Sequence, residues 1–174
     1  NEFNSIKRSV PIVDNLDAAI LNGAEVLILG IAPSGGKIPE AWFKVIESAI
    51  SKNLSIINGL HDTLLSKYKN SLQNDQWIWD VRIPKFIPQI ASGKAAKLNN
   101  KRILCVGTDM AVGKMTTSLE MHKWAIEKKI NSSFIATGQI GITITGGGIP
   151  LDAYKVDHAC GAVEQIVLKN KNSD

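Results

Sequence analysis

Short apolar runs alternate with stretches of helical periodicity along most of the chain. Residues 10–13 form a brief apolar stretch, and Asp14 is placed to cap a helix running through Ile20. The run "AEVLILGIA" (24–32) is continuously apolar, as expected for a parallel strand covered on both faces. It ends in the loop "PSGGK" (33–37), after which Pro39, a favoured first-turn residue, opens a helix to Lys52. "LSIING" (54–59) predicts the next strand, followed by "LHD" and a helix ending near Lys69. "WIWDVR" (77–82) predicts another strand. Strands alternating with helices through short loops predict an α/β domain with a mostly parallel sheet.

The texture then changes. "IPKFIPQIASGKAAKLNNK" (83–101) holds prolines, a glycine and several polar residues with little periodicity, and reads as the connection between two domains. The division places a first domain at 1–84, a linker at 85–100 and a second domain at 101–174. "RILCVG" (102–107) predicts a strand, a helix is expected over 114–129, and "SSFIATG" (132–138) predicts a second strand. The glycine-rich "GQIGITITGGGIP" (138–150) leads into a last helix from Asp152 to near Lys169. Two strands and two helices make a thin core for an independent domain, so the second domain reads as truncated at its C-terminus.

Composition narrows the class. A chain of 174 residues with 44% hydrophobic and 21% charged content suits a soluble, core-forming protein. No apolar run approaches the length of a bilayer crossing, so no membrane partner is expected. The two cysteines, Cys105 and Cys160, stand far apart, which argues against a disulfide framework or a zinc site and for a cytoplasmic location. His122 and His158 have no spacing that suggests metal ligation, and no metal site is expected. The net charge of +4 comes from scattered lysines and arginines, with mild concentrations at Lys94, Lys97, Lys101 and Arg102 and at Lys128 and Lys129. Nucleic-acid binders cluster such charge along one element; here a small polyanionic ligand accounts for it equally well.

The chemistry concentrates in "GTDMAVGKMTT" (107–117). Glycines let a backbone turn tightly and gather N–H groups round a phosphate. A following helix points its positive end at that charge, and a lysine neutralises the remainder. The stretch has the strand before, Gly107 and Gly113 at the turns, Lys114, and a helix after. Thr108, Asp109, Ala111 and Val112 complete the expected loop, with Met115, Thr116 and Thr117 in the first helical turn. Two departures from the usual form matter. Five residues separate the glycines where four are usual, and Met115 follows the lysine where a magnesium-binding hydroxyl is expected. Phosphate or pyrophosphate binding is favoured; magnesium-dependent ATP hydrolysis is doubtful.

Other candidates lie at strand ends. His61 and Asp62 follow a strand, where α/β proteins place ligands. They read either as general base and orienter or, for Asp62, as the cap of the next helix. Asp80 and Arg82 stand two apart on an expected strand and so share a face. Arg82 is placed to clamp a substrate carboxylate, with a structural ion pair as the alternative. Lys37 could assist "PSGGK" in holding an anion. Thr137 and Gln139 end the strand expected beside the loop strand and could face its ligand.

The long-spaced "GTD…VGK" resembles the loop of dethiobiotin synthetase, an ATP- and Mg²⁺-dependent carboxylating enzyme. A closer resemblance covers nearly the whole chain. "PIVDNLDAAI", "LILGIAPSGGKIPEAW", "GLHDTL", "DVRIP", "GTDMAVGKMTTSLEM" and "ATGQIGITITGGGIPLDA" occur in the order seen in the DUF1611, or DgcN-like, family. There "VGKMTT" is itself the expected form. The resemblance implies a Rossmann-like parallel-sheet domain followed by a partial P-loop NTPase-like α/β domain. It implies transfer of acetyl from acetyl-CoA to the amino group of D-glutamate. The likeness to dethiobiotin synthetase implies instead an ATP- and Mg²⁺-dependent ligase or kinase, and a non-catalytic nucleotide-sensing module is the third reading. An amino-acid substrate, no nucleic-acid partner and a homo-oligomer are the matching expectations. Family members are longer at both ends, so the first strand and the later part of the P-loop domain are expected to be missing.

Overall fold

The computed structural model describes residues 10–31 and 33–174. Ala32, which closes the first expected strand, and residues 1–9 of the expected first domain lie outside the described residues. The chain divides into two compact units, Asn1–Asp80 and Val81–Asp174.

In the first unit, helix α1 (Leu16–Leu21) is capped by Asn15, whose side chain accepts from the Ala18 N–H at 2.9 Å. The expected cap, Asp14, is displaced by one residue. Strands β1 (Val26–Leu29), β2 (Ser55–Asn58) and β3 (Ile78–Asp80) form a parallel sheet in the order β1-β2-β3. The register aligns Leu27 with Ile56 and Ile78, then Leu29 with Asn58 and Asp80. Two rows on the same face thus differ in kind: an apolar row, then a row ending in an amide and a carboxylate. Helices α2 (Glu40–Ser51) and α3 (Leu65–Tyr68) supply the rest of the core, in which Ile46, Ile50, Leu64 and Tyr68 pack with Ile56 and Ile78.

Three expectations change here. β1 is covered on the Leu27 and Leu29 face, whereas Val26 and Ile28 on the other face stay exposed. Alternating side chains explain this, because helices packed on one side reach alternate residues only. β3 stops at Asp80, so Arg82 falls in the turn beyond it and shares no strand face with Asp80. The turn before α3 is closed by Asp80 in place of Asp62: its carboxylate accepts from the N–H groups of Leu64 and Leu65.

The second unit contains α4 (Lys114–Glu127), α5 (Gln139–Thr145) and α6 (Val156–Lys169). Among its described residues there is no strand, although 102–107 and 132–138 read as strands. Apolar composition nominates a strand, but a ladder needs a neighbour for its N–H and C=O groups. Residues 102–107 have none here, and Ile103, Leu104 and Val106 remain 72%, 82% and 78% exposed. The end of 132–138 is met by returning chain: Ile149 N–H donates to Ala136 O and Leu151 N–H to Thr137 O. Gly148 makes that return possible, since a Cβ there would sit 2.5 Å from Ala136 O.

Helix α5 occupies part of the stretch expected as a glycine-rich loop. Its glycine and β-branched residues are poor helix formers. Packing overrides that preference: Ile142 is buried, and Gly141 lets the helix lie against Ala136. The last helix begins at Val156, not Asp152: Leu151–Ala153 form a separate 3-10 turn, after which Tyr154 and Lys155 are extended, while the Asp152 carboxylate pairs with Arg82.

Residues 86–100 lie along α6. Tyr154 donates to Phe86 O, and Gln89 O approaches Gly161 so closely that a Cβ there would sit 1.6 Å away. Glu164 accepts from the Ser92 N–H and hydroxyl and from the Ala95 N–H. The Ser92 N–H, first among these donors, holds the Glu164 carboxyl below its ordinary value of 4.5. A depressed carboxyl stabilises the fold fully above its ordinary value and ceases to do so as pH falls through the lower, folded value. The Ser92 amide resonance is therefore expected to titrate with a midpoint below 4.5. In Glu164→Gln that titration should vanish; its persistence would refute the assignment.

Candidate functional site

Residues 107–117 build a cradle at the start of α4. Ala111 and Gly113 both have positive φ, 55° and 92°, which turns the loop back before the helix begins. A Cβ at Gly107 would sit 2.7 Å from Val112 Cγ2 and 3.2 Å from Lys114 Cδ, so any side chain there would displace these two. Gly113 is the N-cap and offers no side-chain acceptor to the first turn. The first helical bond runs from Thr117 N–H to Gly113 O at 2.9 Å, so the N–H groups of Lys114, Met115 and Thr116 precede the helical ladder. Lys114 Nζ folds back onto Asp109 O, and the Asp109 carboxylate accepts from Met110 N–H at 2.6 Å. Residues 107–113 are exposed throughout, with Lys114 half-buried. An anion entering here meets orphan N–H donors, the helix dipole and an ammonium now held by a neutral carbonyl.

Met115 and Thr116 are exposed on the first turn. Thr137 precedes α5 and Gln139 opens it, and the carbonyls of both are engaged locally. Leu151 N–H donates to Thr137 O, and Thr143 Oγ1 to Gln139 O. Among the described residues no hydrogen bond joins either of them to 107–117.

The first unit carries its own cluster at the carboxyl end of the sheet. Asn58 is fully buried; its amide donates to Asp80 Oδ1 at 2.8 Å and to Asp62 O at 2.6 Å, and its oxygen accepts from Leu60 N–H. Asp80, expected to meet substrate, is 6% exposed and engaged by Asn58, Leu64 and Leu65. It is a structural acceptor. His61 is exposed beside Gly36, and its N–H donates to Gly36 O at 2.8 Å. The Asp62 carboxylate accepts from Ile38 N–H at 2.6 Å. Lys37, between Gly36 and Ile38, is exposed after two glycines of positive φ.

Arg82, in the second unit, is mostly buried and pairs with Asp152, so an incoming carboxylate would compete with that partner. Burial also lowers the pKa of its guanidinium. Among the described residues no group of three or more His, Cys, Asp or Glu side chains could hold a metal ion, and no helix is long and apolar enough to cross a membrane. Sequence reasoning missed Asn58, for which an asparagine closing an otherwise apolar strand was the available signal. Gly36 lies in the "PSGGK" loop already singled out, but nothing local marked its approach to His61.

Residues 1–84 match the DUF1611_N Rossmann-like domain, and residues 89–174 match the DUF1611_C P-loop domain; both are described as domains of unknown function. The chain belongs to the DUF1611 family. Its similarity to a D-glutamate N-acetyltransferase of Tritonibacter scottomollicae is 39% identity over 158 residues, covering 89% of this chain and 47% of that one. A second D-glutamate N-acetyltransferase, from Pseudoalteromonas sp., is 40% identical over 147 residues, covering 83% and 44%. The crystal structure of a DUF1611 family protein from Anabaena variabilis superposes with a TM-score of 0.90 at 45% identity, covering 99% of this chain and 51% of that one. The chain thus spans about half the length of these relatives.

Proposed function

We propose that this DUF1611 chain serves an N-acetyltransferase that moves acetyl from acetyl-CoA to the amino group of D-glutamate. The observation that carries the reading is the 107–117 cradle, which offers backbone donors and Lys114 to a pyrophosphate but no hydroxyl directly after the lysine. That set suits a ligand whose phosphates are gripped and left intact. The names of the two relatives supply the reaction class.

The residues divide the work as follows. Gly107, Thr108, Asp109, Ala111, Val112, Gly113, Lys114, Met115, Thr116 and Thr117 hold the phosphates of the acyl donor. The amine nitrogen forms a bond to the thioester carbonyl carbon, the carbon–sulfur bond breaks, and CoA departs as its thiol after taking a proton. His61 accepts the proton that the nitrogen gives up. Lys37, exposed and following the Gly36 whose carbonyl accepts from His61 N–H, attracts the substrate carboxylate.

Calorimetry tests the donor. Acetyl-CoA should bind without metal, at a Kd unchanged by Mg²⁺. Tight ATP binding that requires Mg²⁺, with no heat from acetyl-CoA, would instead favour a ligase or kinase of the dethiobiotin-synthetase type. Mass spectrometry for N-acetyl-D-glutamate then separates an enzyme from a nucleotide-binding module.

A further inference from the structure

A histidine and an aspartate in succession invite the reading of base and orienter, yet their side chains do different things. The Asp62 carboxylate accepts from the backbone N–H of Ile38, 24 residues earlier, at 2.6 Å. Ile38 is buried, and its N–H would otherwise lack a partner inside the fold. The Asp62 backbone is fixed as well, since its carbonyl accepts from the buried amide of Asn58. His61 N–H in turn donates to Gly36 O. The loop after β1 and the loop after β2 are therefore stitched together by two bonds, from Gly36 and Ile38 on one side to His61 and Asp62 on the other.

Gly36 is where the stitching reaches the imidazole. Its φ is +65°, and a Cβ at that position would lie 2.3 Å from His61 Cδ2 and 2.9 Å from Nε2. The ring rests on a surface that exists only because residue 36 has no side chain.

We propose that Asp62 is a positioning residue: its carboxylate ties the 33–38 loop to the end of β2, and Gly36 of that loop seats the imidazole of His61. The proposal deepens the reading of His61 as proton acceptor and rests on it for its catalytic meaning. What the Ile38 N–H needs is an acceptor oxygen, not a charge. An amide side chain at position 62 meets that need, and a methyl group does not.

The test uses the isotope-labelled full chain, with amide exchange of Ile38 and the Cε1–Hε1 resonance of His61 as readouts. Only three histidines occur, and His61→Gln assigns the signal. Asp62→Asn is expected to keep Ile38 protection and to leave the His61 signal in place. Asp62→Ala should speed Ile38 exchange roughly tenfold or more, the loss of one charge-assisted hydrogen bond, and should move the His61 signal. Gly36→Ala should move that signal without any change at residue 62. Asp62→Asn behaving like Asp62→Ala, or Asp62→Ala leaving His61 undisturbed, would overturn the proposal. Acetyl transfer by His61→Gln is a separate arm: full turnover there defeats the proton-acceptor reading, while the two resonances decide the positioning on their own.

Discussion

Lys114→Ala is expected to weaken acetyl-CoA binding roughly 10- to 100-fold, the equivalent of a charged hydrogen bond at about 1.5–3 kcal/mol. The ammonium group contributes little to the fold, because its partner, Asp109 O, belongs to an exposed loop that can bond to water instead. Thermal unfolding should accordingly stay within a degree or two of wild type. A binding defect without a stability defect is the signature of a ligand-facing lysine. The loss should also be larger at low ionic strength, where the attraction is less screened. Calorimetry of the wild type and the variant at two salt concentrations checks both points. Equal affinities would remove the cradle from the site.

Asp80→Ala should have the opposite profile, with a large loss of stability. Its carboxylate accepts from Leu64 N–H, Leu65 N–H and the Asn58 amide, all within the buried end of the first sheet. Removing it strands these donors and leaves a hole, at a cost of about 3–5 kcal/mol. In a unit of this size each kcal/mol shifts the melting temperature by about 4–8 °C, so the first unit should melt well over 10 °C lower. Asp80→Asn should fall between, because its amide oxygen accepts while its NH₂ faces donors. Differential scanning calorimetry of the three proteins reads this directly. An Asp80→Ala chain melting within about 3 °C of wild type would show that water replaces the carboxylate.

The first sheet and its helices were legible because their residues repeat at the periods that burial imposes. Leu27, Ile56 and Ile78 sit where alternation places them, and α2 starts just after Pro39. The turn at 107–113 and the helix start after it were legible for a different reason: a tight turn into a helix needs glycines at particular positions, which sequence displays directly. What sequence could not display were partnerships between distant residues. Nothing near Asp80 announces that Leu64 and Leu65 need its oxygens, and nothing near Asp152 announces Arg82. The run 102–107 has strand composition, but a ladder depends on a neighbour that composition does not name. Helix α5 was hidden by its own threonines, isoleucines and glycines, whose weak local preference yields to the burial of Ile142.

The fastening of residues 86–100 to α6 also dictates an order of events. Ser92 meets Glu164 across 72 positions of chain, and Tyr154 meets Phe86 across 68. Closing so long a span loses chain entropy before any contact offsets it. The sheet of the first unit draws on nothing later than Asp80. As the polypeptide is made, that sheet can close while the second unit is still being synthesised, and the segment that will lie on α6 must wait for the helix to emerge. Until then Phe86 O and the Ser92 N–H lack the partners that hold them in the finished fold.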